Sequence, residues 1–204
     1  IGVPFETELM RMATGQQRTP EFLAVNPKGK VPTLLIDGQP LTENVAILNW
    51  LHAQFPEAGR LPETQDPLAR AEQTADLAFF SATVHPTVTR IAMPLKFIED
   101  KALSFKIVRP VGMAAMDQIM EMIEARLSAG AGPWWYGACW SIVDGYLYWV
   151  WARILGVGYD GSRFPAITHH HALSNERPAI QRAMAREAVN IEILKGEALY
   201  MAPC

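Results

Sequence analysis

The sequence has few of the residues that define several classes of protein. Its two cysteines, Cys139 and Cys204, stand alone, and they provide neither a disulfide scaffold nor the paired spacing of a zinc site. No apolar run approaches the ~18 residues that suggest a membrane span, and no signal-peptide pattern opens the chain. The net charge is −3 and Lys and Arg are not clustered, so nothing indicates contact with nucleic acid or an anionic membrane. We therefore expect a protein of the reducing cytoplasm, without bound metal.

What remains is the composition of a folded globular protein. Half of its 204 residues are hydrophobic and 19% are charged, which suits a packed core rather than disorder. Strand and helix signals alternate at first, a polar stretch with Gly and Pro follows, and helix then succeeds helix. This order predicts an α/β domain over residues 1–58, a linker over 59–66 and an all-helical domain over 67–204.

The first domain shows a sequence of short elements joined by strong turn signals. Thr19-Pro20 is typical of a helix start, and Asp37-Gly38 is typical of a tight hairpin turn. The predicted elements are a weak strand over 5–10, a helix from Thr19, a strand over 31–36, a return strand over 39–42 and a helix over 43–55. The chain opens directly on these elements, so we expect that further residues precede Ile1.

The second domain is predicted to consist of helices with clear apolar faces. The helices are expected from Pro67 into the nineties, kinked or broken at Pro86 and Pro94, over 102–128, from Ser141 onwards, and more briefly near 165–173 and 178–188. At Ser141 the hydroxyl can accept the Asp144 amide while the Asp144 carboxylate accepts the Ser141 amide. This reciprocal cap predicts a structural role for both residues, worth about 1 kcal/mol.

Several conspicuous side chains are given structural interpretations. His169-His170-His171 resembles a metal-binding tract, but successive helical residues point in different directions, so a surface helix is expected. Cys139 is predicted to be a small buried residue, and the methionines at 113, 116, 120 and 122 are predicted to fill the core. An alanine stripe at 71, 75, 78 and 82 suits close helix packing within or between subunits.

Three motifs in order carry a resemblance to a known family. They are Asn-Pro-Lys-Gly-Lys-Val-Pro at 26–32, Leu-Thr-Glu-Asn-Val-Ala-Ile at 41–47 and the capped helix at Ser141 to Asp144. Together they resemble the cytosolic glutathione S-transferases of bacterial type, over nearly the whole chain. The resemblance implies a thioredoxin-like domain with a mixed sheet, truncated at its start, followed by an all-α domain in a homodimer.

The resemblance also implies which residues bind glutathione. Val31 and Pro32 match the position where the residue before a cis-proline pairs its backbone with the cysteinyl unit. Glu43 and Asn44 match the helix start that holds the γ-glutamyl end, although the family more often has Ser where this chain has Asn44. Lys30 is a candidate for the glycyl carboxylate.

The implied reaction leaves its catalytic residue and its second substrate open. Family members activate the thiol with Tyr, Ser or Cys on the first strand or helix, a position expected upstream of Ile1. His85 and Arg90 lie on the helix that borders the family's electrophile pocket. The resemblance implies a detoxifying transferase that joins glutathione, as co-substrate, to a small apolar electrophile. A glutathione-dependent reductase, isomerase or dehalogenase, and a non-catalytic carrier or regulator, remain alternatives.

Overall fold

The computed structural model describes residues 1–201, which fall into two compact units. Residues 1–58 and 178–201 form the first unit, and residues 59–177 form the second. The predicted domain ranges, which assign everything after residue 66 to the helical domain, stay a prediction. Cys204 lies outside the described residues.

The first unit contains an antiparallel hairpin. Strand β1 (Thr33–Ile36) pairs with β2 (Gln39–Thr42), with Thr33 opposite Thr42. The φ angles of Asp37 and Gly38 are 49° and 80°, and positive φ at both central residues is the conformation of a two-residue type I′ turn. The predicted hairpin and its turn are confirmed.

Helices flank the hairpin on both sides along the chain. Helix α1 (Pro20–Val25) begins at the predicted place, since the Thr19 hydroxyl accepts from the Phe22 amide at 3.4 Å. Helix α2 (Asn44–Gln54) follows β2 directly. The weak strand predicted over 5–10 is wrong: residues 1–11 carry neither helix nor strand. Within residues 1–201 the sheet has only β1 and β2, so this short alternating segment has no strand to pair with.

The last helix, α9 (Pro178–Gly196), belongs to the first unit by its contacts. Arg11 donates from Nε and Nη2 to the two carboxylate oxygens of Glu197, each at 2.6 Å. The guanidinium of Arg186 lies 4.9 Å from the ring centroid of Phe5. These contacts attach the irregular N-terminal segment to the end of the chain.

The second unit opens with a long helical stretch that changes pitch before its proline. Helix α3 (Pro67–Phe79) continues through a π-helical turn (Phe80–Val84) into α4 (His85–Ala92). Pro86 lies just after the π turn. It has no backbone N–H, so in a regular α-helix it would interrupt the ladder of hydrogen bonds at this point. Pro94 opens a 3₁₀ turn after α4 ends at Ala92, so the break predicted there is confirmed.

The other helices of the second unit enclose its core. They are α5 (Lys101–Leu103), a π turn (Ser104–Val108), α6 (Arg109–Ala129), α7 (Ile142–Leu155) and α8 (Pro165–Asn175). The predicted apolar stripes are buried: Met116, Ile119, Met120, Ile123 and Leu127 on α6, and Val143, Leu147, Val150 and Ile154 on α7. Among the described helices, none has the length and apolarity needed to cross a membrane. The fold is thus a thioredoxin-like domain with a small sheet, followed by an all-α domain.

Three structural interpretations of single residues are corrected. His170 is buried rather than on a surface, because its ring bonds a buried carboxylate on α7. Cys139 is exposed, since the loop before α7 turns it outward. Met122 is 56% exposed on α6, while Met116 and Met120 fill the core as predicted.

Candidate functional site

The loop that leads into β1 is held by a buried asparagine. Asn26 is 1% exposed, and its Nδ2 donates to the Lys30 carbonyl at 2.7 Å and to Thr33 Oγ1 at 3.0 Å. Its Oδ1 accepts from the Lys28 amide at 3.2 Å. The sequence analysis placed Asn26 in the motif over 26–32 but gave its side chain no role. The ability of Asn to bond its own backbone two residues on was the signal that could have revealed this role.

A glycine in the same loop fills a position that no other residue fits without strain. Gly29 has φ +60°, and a Cβ there would lie 3.0 Å from the Gln17 carbonyl oxygen. Left-handed φ and the close backbone both disfavour a side chain. Asn26 and Gly29 therefore fix the path of the chain toward Val31.

Val31 presents its backbone just before the paired part of the hairpin. The peptide bond between Val31 and Pro32 is cis, as the resemblance implied. The register begins only at Thr33, and Val31 is 45% exposed. The Val31 backbone is thus placed where an extended peptide can add to a strand edge.

The start of α2 has an unusual backbone and a charged side chain. Glu43, the residue before the helix, has φ 70°, which is sparsely populated for a non-glycine residue and costs about 1–3 kcal/mol. Its carbonyl accepts from the Ile47 amide at 3.0 Å, but its side chain caps no helix amide. Asn44, half-buried, is the first helical residue, so the first amides of α2 remain open to an anion.

Lys28 joins the two parts of this candidate site. Its Nζ lies 2.6 Å from Glu43 Oε1 and donates to Thr42 Oγ1 at 3.1 Å. Both members of the ion pair are exposed. Sequence reasoning selected Lys30, whose side chain is exposed, and missed Lys28, since only the folded loop shows which lysine reaches α2. The structure therefore brings Val31, Pro32, Glu43 and Asn44 onto neighbouring segments.

His85 lies in an aromatic setting on the second unit. Its Nδ1 is 2.9 Å from the Tyr146 hydroxyl, and its ring lies 4.5 Å from that of Trp149. Burial lowers the pKa of His85 below its ordinary value, and the charges of Lys96 and Arg153 lower this pKa further. Sequence reasoning missed Tyr146 and Trp149, although their spacing places both on one side of α7.

Arg90 lies five residues beyond His85 on α4 and faces a different partner. Its guanidinium carbon is 5.8 Å from the ring centroid of Phe97. The two residues predicted for the electrophile pocket therefore lie on one helix, with His85 beside Trp149 and Arg90 beside Phe97.

The capping box of α7 is present and extends beyond the predicted pair. Asp144 accepts from the Ser141 amide at 2.7 Å and the Ser141 hydroxyl at 2.6 Å. It also accepts from the Trp135 amide at 2.7 Å and contacts His170 Nε2 at 2.9 Å. All of these groups are buried, so the cluster stabilises the helical domain.

The comparisons with known proteins bear on the class of protein to which this chain belongs. Residues 1–54 match the family described as "Glutathione S-transferase, N-terminal domain". A glutathione transferase from Methylococcus capsulatus is 34% identical, with 82% of this chain and 78% of that chain covered and a TM-score of 0.70. The chain belongs to the glutathione S-transferase family.

Two further relatives bear on ligand and reaction. A glutathione transferase homolog from Sulfitobacter, solved with bound glutathione, is 28% identical over 86% of this chain and 83% of that chain, with a TM-score of 0.73. The maleylacetoacetate isomerase of Pseudomonas aeruginosa is 28% identical over 83% of this chain and 77% of that protein. The family thus includes relatives described as transferases and as isomerases.

Proposed function

We propose that this protein is a glutathione transferase that joins the glutathione thiolate to a small apolar electrophile. The observation that carries the proposal is that the exposed Val31 and the negatively charged Glu43 at the start of α2 lie at the same end of the hairpin, where Thr33 is opposite Thr42. One segment suits the peptide centre of glutathione and the other suits its doubly charged γ-glutamyl end.

The γ-glutamyl end is assigned to the start of α2. The open amides there, together with the helix dipole, favour its carboxylate, and the Asn44 side chain can donate to the same group. The Glu43 carboxylate faces the ammonium. The positive φ of Glu43 is a local strain of the kind that clusters at binding sites, where it directs a side chain at the ligand.

Lys28 pairs with the same Glu43 carboxylate that is proposed to face the ligand ammonium. The Lys28–Glu43 pair is solvent-exposed on both sides, and such pairs contribute about 0–1 kcal/mol. The γ-glutamyl ammonium can therefore replace Lys28 at little cost. The released lysine, with Lys30, adds positive charge near a ligand that has two carboxylates.

The proposed reaction forms a bond between glutathione sulfur and an electrophilic carbon. The thiolate supplies the electron pair, and either a leaving group departs with its bonding pair or the resulting carbanion takes a proton from solvent. We assign thiol activation to none of the described residues. His85 and Arg90 are proposed to border the electrophile, where a neutral, aromatic-stacked imidazole suits an apolar molecule.

A second candidate is a glutathione-dependent isomerase. The similarity to the maleylacetoacetate isomerase favours it, and the same thiolate could add to a double bond and leave again after rotation. A reductase or dehalogenase on this fold would use the same glutathione site. We further propose a cytoplasmic homodimer, consistent with the exposed alanines at 71, 75 and 82.

Turnover by the full-length protein with glutathione distinguishes these reactions. The transferase proposal expects glutathione-dependent consumption of 1-chloro-2,4-dinitrobenzene or a related electrophile, with loss in Glu43→Ala at low glutathione concentration. The isomerase alternative expects conversion of maleylacetoacetate without net consumption of glutathione. If the protein catalyses neither reaction at saturating glutathione, the proposal that it is an enzyme is contradicted.

A further inference from the structure

Two arginines of the second unit lie beside the same tryptophan. The guanidinium carbon of Arg177 is 4.6 Å from the ring centroid of Trp140, and that of Arg60 is 5.8 Å from it. Arg60 precedes α3, whereas Arg177 follows α8. The fold thus gathers two positive charges from distant segments around one indole.

Among the described residues, neither of these arginines forms an ion pair. By contrast, Arg11 and Arg126 each have one carboxylate at ion-pair distance and Arg163 has two. Asp144 is the buried carboxylate of this region, and it is already engaged by amides, a hydroxyl and His170. Burial and the neighbouring Arg60 lower the pKa of Arg177, and Asp144 opposes this only in part.

Several donors around the indole are buried without a hydrogen-bond partner. They are Nε of Arg60, Nε of Arg177 and Nε1 of Trp140. The hydroxyl of Ser174, which is fully buried one turn before Arg177, also lacks a partner. Buried donors in folded proteins are nearly always satisfied, so this concentration of open donors indicates a missing acceptor.

The groups are anchored by the backbone around them. The Arg60 carbonyl accepts from the Ile142 amide at 3.0 Å, and the Arg177 amide donates to the Ser174 carbonyl at 3.1 Å. The six-membered ring of Trp140 lies against Gly145, where a Cβ would come within 3.2 Å of it. The backbones from which the two arginines extend, and the indole they lie beside, are therefore fixed by the fold.

We propose that Arg60, Arg177 and Trp140 form a binding site for a small oxyanion, separate from the glutathione residues. The planar guanidinium fork matches two oxygens of a phosphate or carboxylate group. Such an anion neutralises both charges and accepts from the open N–H donors. It needs no contact with Glu43 or Val31, so it is independent of the proposed reaction.

The test is calorimetric titration of inorganic phosphate, and separately of acetate, into the full-length protein at constant ionic strength. We expect saturable binding that weakens at least about tenfold in Arg60→Gln and in Arg177→Gln. Arg153→Gln, an exposed arginine of the same unit, should leave binding unchanged. Binding of phosphate alone identifies a phosphate-type ligand, and binding of both probes extends the site to carboxylates.

Two results would overturn the proposal. One is the absence of saturable binding of either probe to the unaltered protein. The other is binding that persists in folded Arg60→Gln and Arg177→Gln. If circular dichroism shows that a glutamine variant is unfolded, Arg177→Lys is measured in its place. This variant keeps the positive charge but loses the planar guanidinium fork, so binding of the anion should still weaken. Unchanged binding would contradict the site.

Discussion

At the scale of the single residue, the clearest structural role belongs to Asp144. Its buried carboxylate accepts from two backbone amides and a hydroxyl, and it contacts His170. Each of these donors would lose its partner if the carboxylate were removed. The charge is tolerated inside the protein because every oxygen is engaged.

Asp144→Ala should lower the free energy of unfolding by about 3–5 kcal/mol, because it leaves several buried donors unpaired. Denaturant unfolding followed by circular dichroism measures this change. Asp160→Ala is the matched control, since Asp160 is exposed and its hydrogen bonds are made to Ser162 at the surface. Equal losses in the two variants would contradict the role of the buried cluster.

His85 gives the protein a predictable response to acid. Burial lowers its pKa below 6.5, so as the pH falls the unfolded chain binds a proton before the folded chain does. The free energy of unfolding should therefore fall as the pH drops from about 7.5 to 5.5. His171, whose pKa is lowered mainly by burial, acts in the same direction.

His85→Gln should reduce this pH dependence, because the variant has no proton to bind there. The midpoint of thermal unfolding, measured across that pH range, should decline less steeply than in the unaltered protein. If the midpoint of thermal unfolding of His85→Gln falls with pH as steeply as that of the unaltered protein, the His85 imidazole is not the source of the pH dependence.

Residues that act through local spacing could be predicted, and residues that meet by folding could not. Ser141 and Asp144 are three positions apart, so the capping box is visible in the sequence. His170 reaches the same carboxylate from 26 positions away, and no local pattern encodes that distance. Lys28 was missed for the same reason: its partner Glu43 is 15 positions away.

At the scale of the element, one helix depends on another for its cap. The Glu124 carboxylate of α6 accepts from the Ala166 amide at 2.8 Å and from the Ile167 amide at 3.0 Å. These are early amides of α8 that have no partner within their own helix. The negative charge also complements the positive end of the α8 dipole.

Glu124→Ala should therefore destabilise the protein by about 1–2 kcal/mol, as the loss of a helix cap does. Chemical unfolding again measures the effect. Glu121 lies on the same helix and is exposed, with only a 3.7 Å contact to Arg163, so Glu121→Ala should change stability by less than about 0.5 kcal/mol. A similar loss for both glutamates would argue against interhelical capping.

The elements themselves were largely predictable, because strong periodicity and turn residues agree along most of the chain. The hairpin at Asp37-Gly38 and the apolar face of α6 are examples. The π turns over Phe80–Val84 and Ser104–Val108 were not predictable from apolar spacing. The strand predicted over 5–10 is wrong because a short alternation of apolar and polar residues shows only that a segment is able to pair with a strand. Within the described residues, β1 pairs with β2 and not with this segment.

At the scale of the whole molecule, the resemblance to the family depends on motifs from both parts of the chain. No single motif is specific enough to identify the family. The three motifs in order gave the resemblance, and the relative from Methylococcus capsulatus places the chain in the family. The surroundings of His85 could not be predicted, because Tyr146 and Trp149 lie on another helix that only the fold brings to it. The residues proposed to bind glutathione could be named from the sequence, because they lie in two short, contiguous motifs.

The most direct test of the central claim is isothermal titration of glutathione into the full-length protein and its Glu43→Ala variant. Glu57→Ala, another exposed carboxylate of the first unit, is the control. We expect micromolar to millimolar binding by the unaltered protein and the control, and at least about tenfold weaker binding by Glu43→Ala. No binding by the unaltered protein, or equal affinity in Glu43→Ala, would contradict the proposed glutathione site.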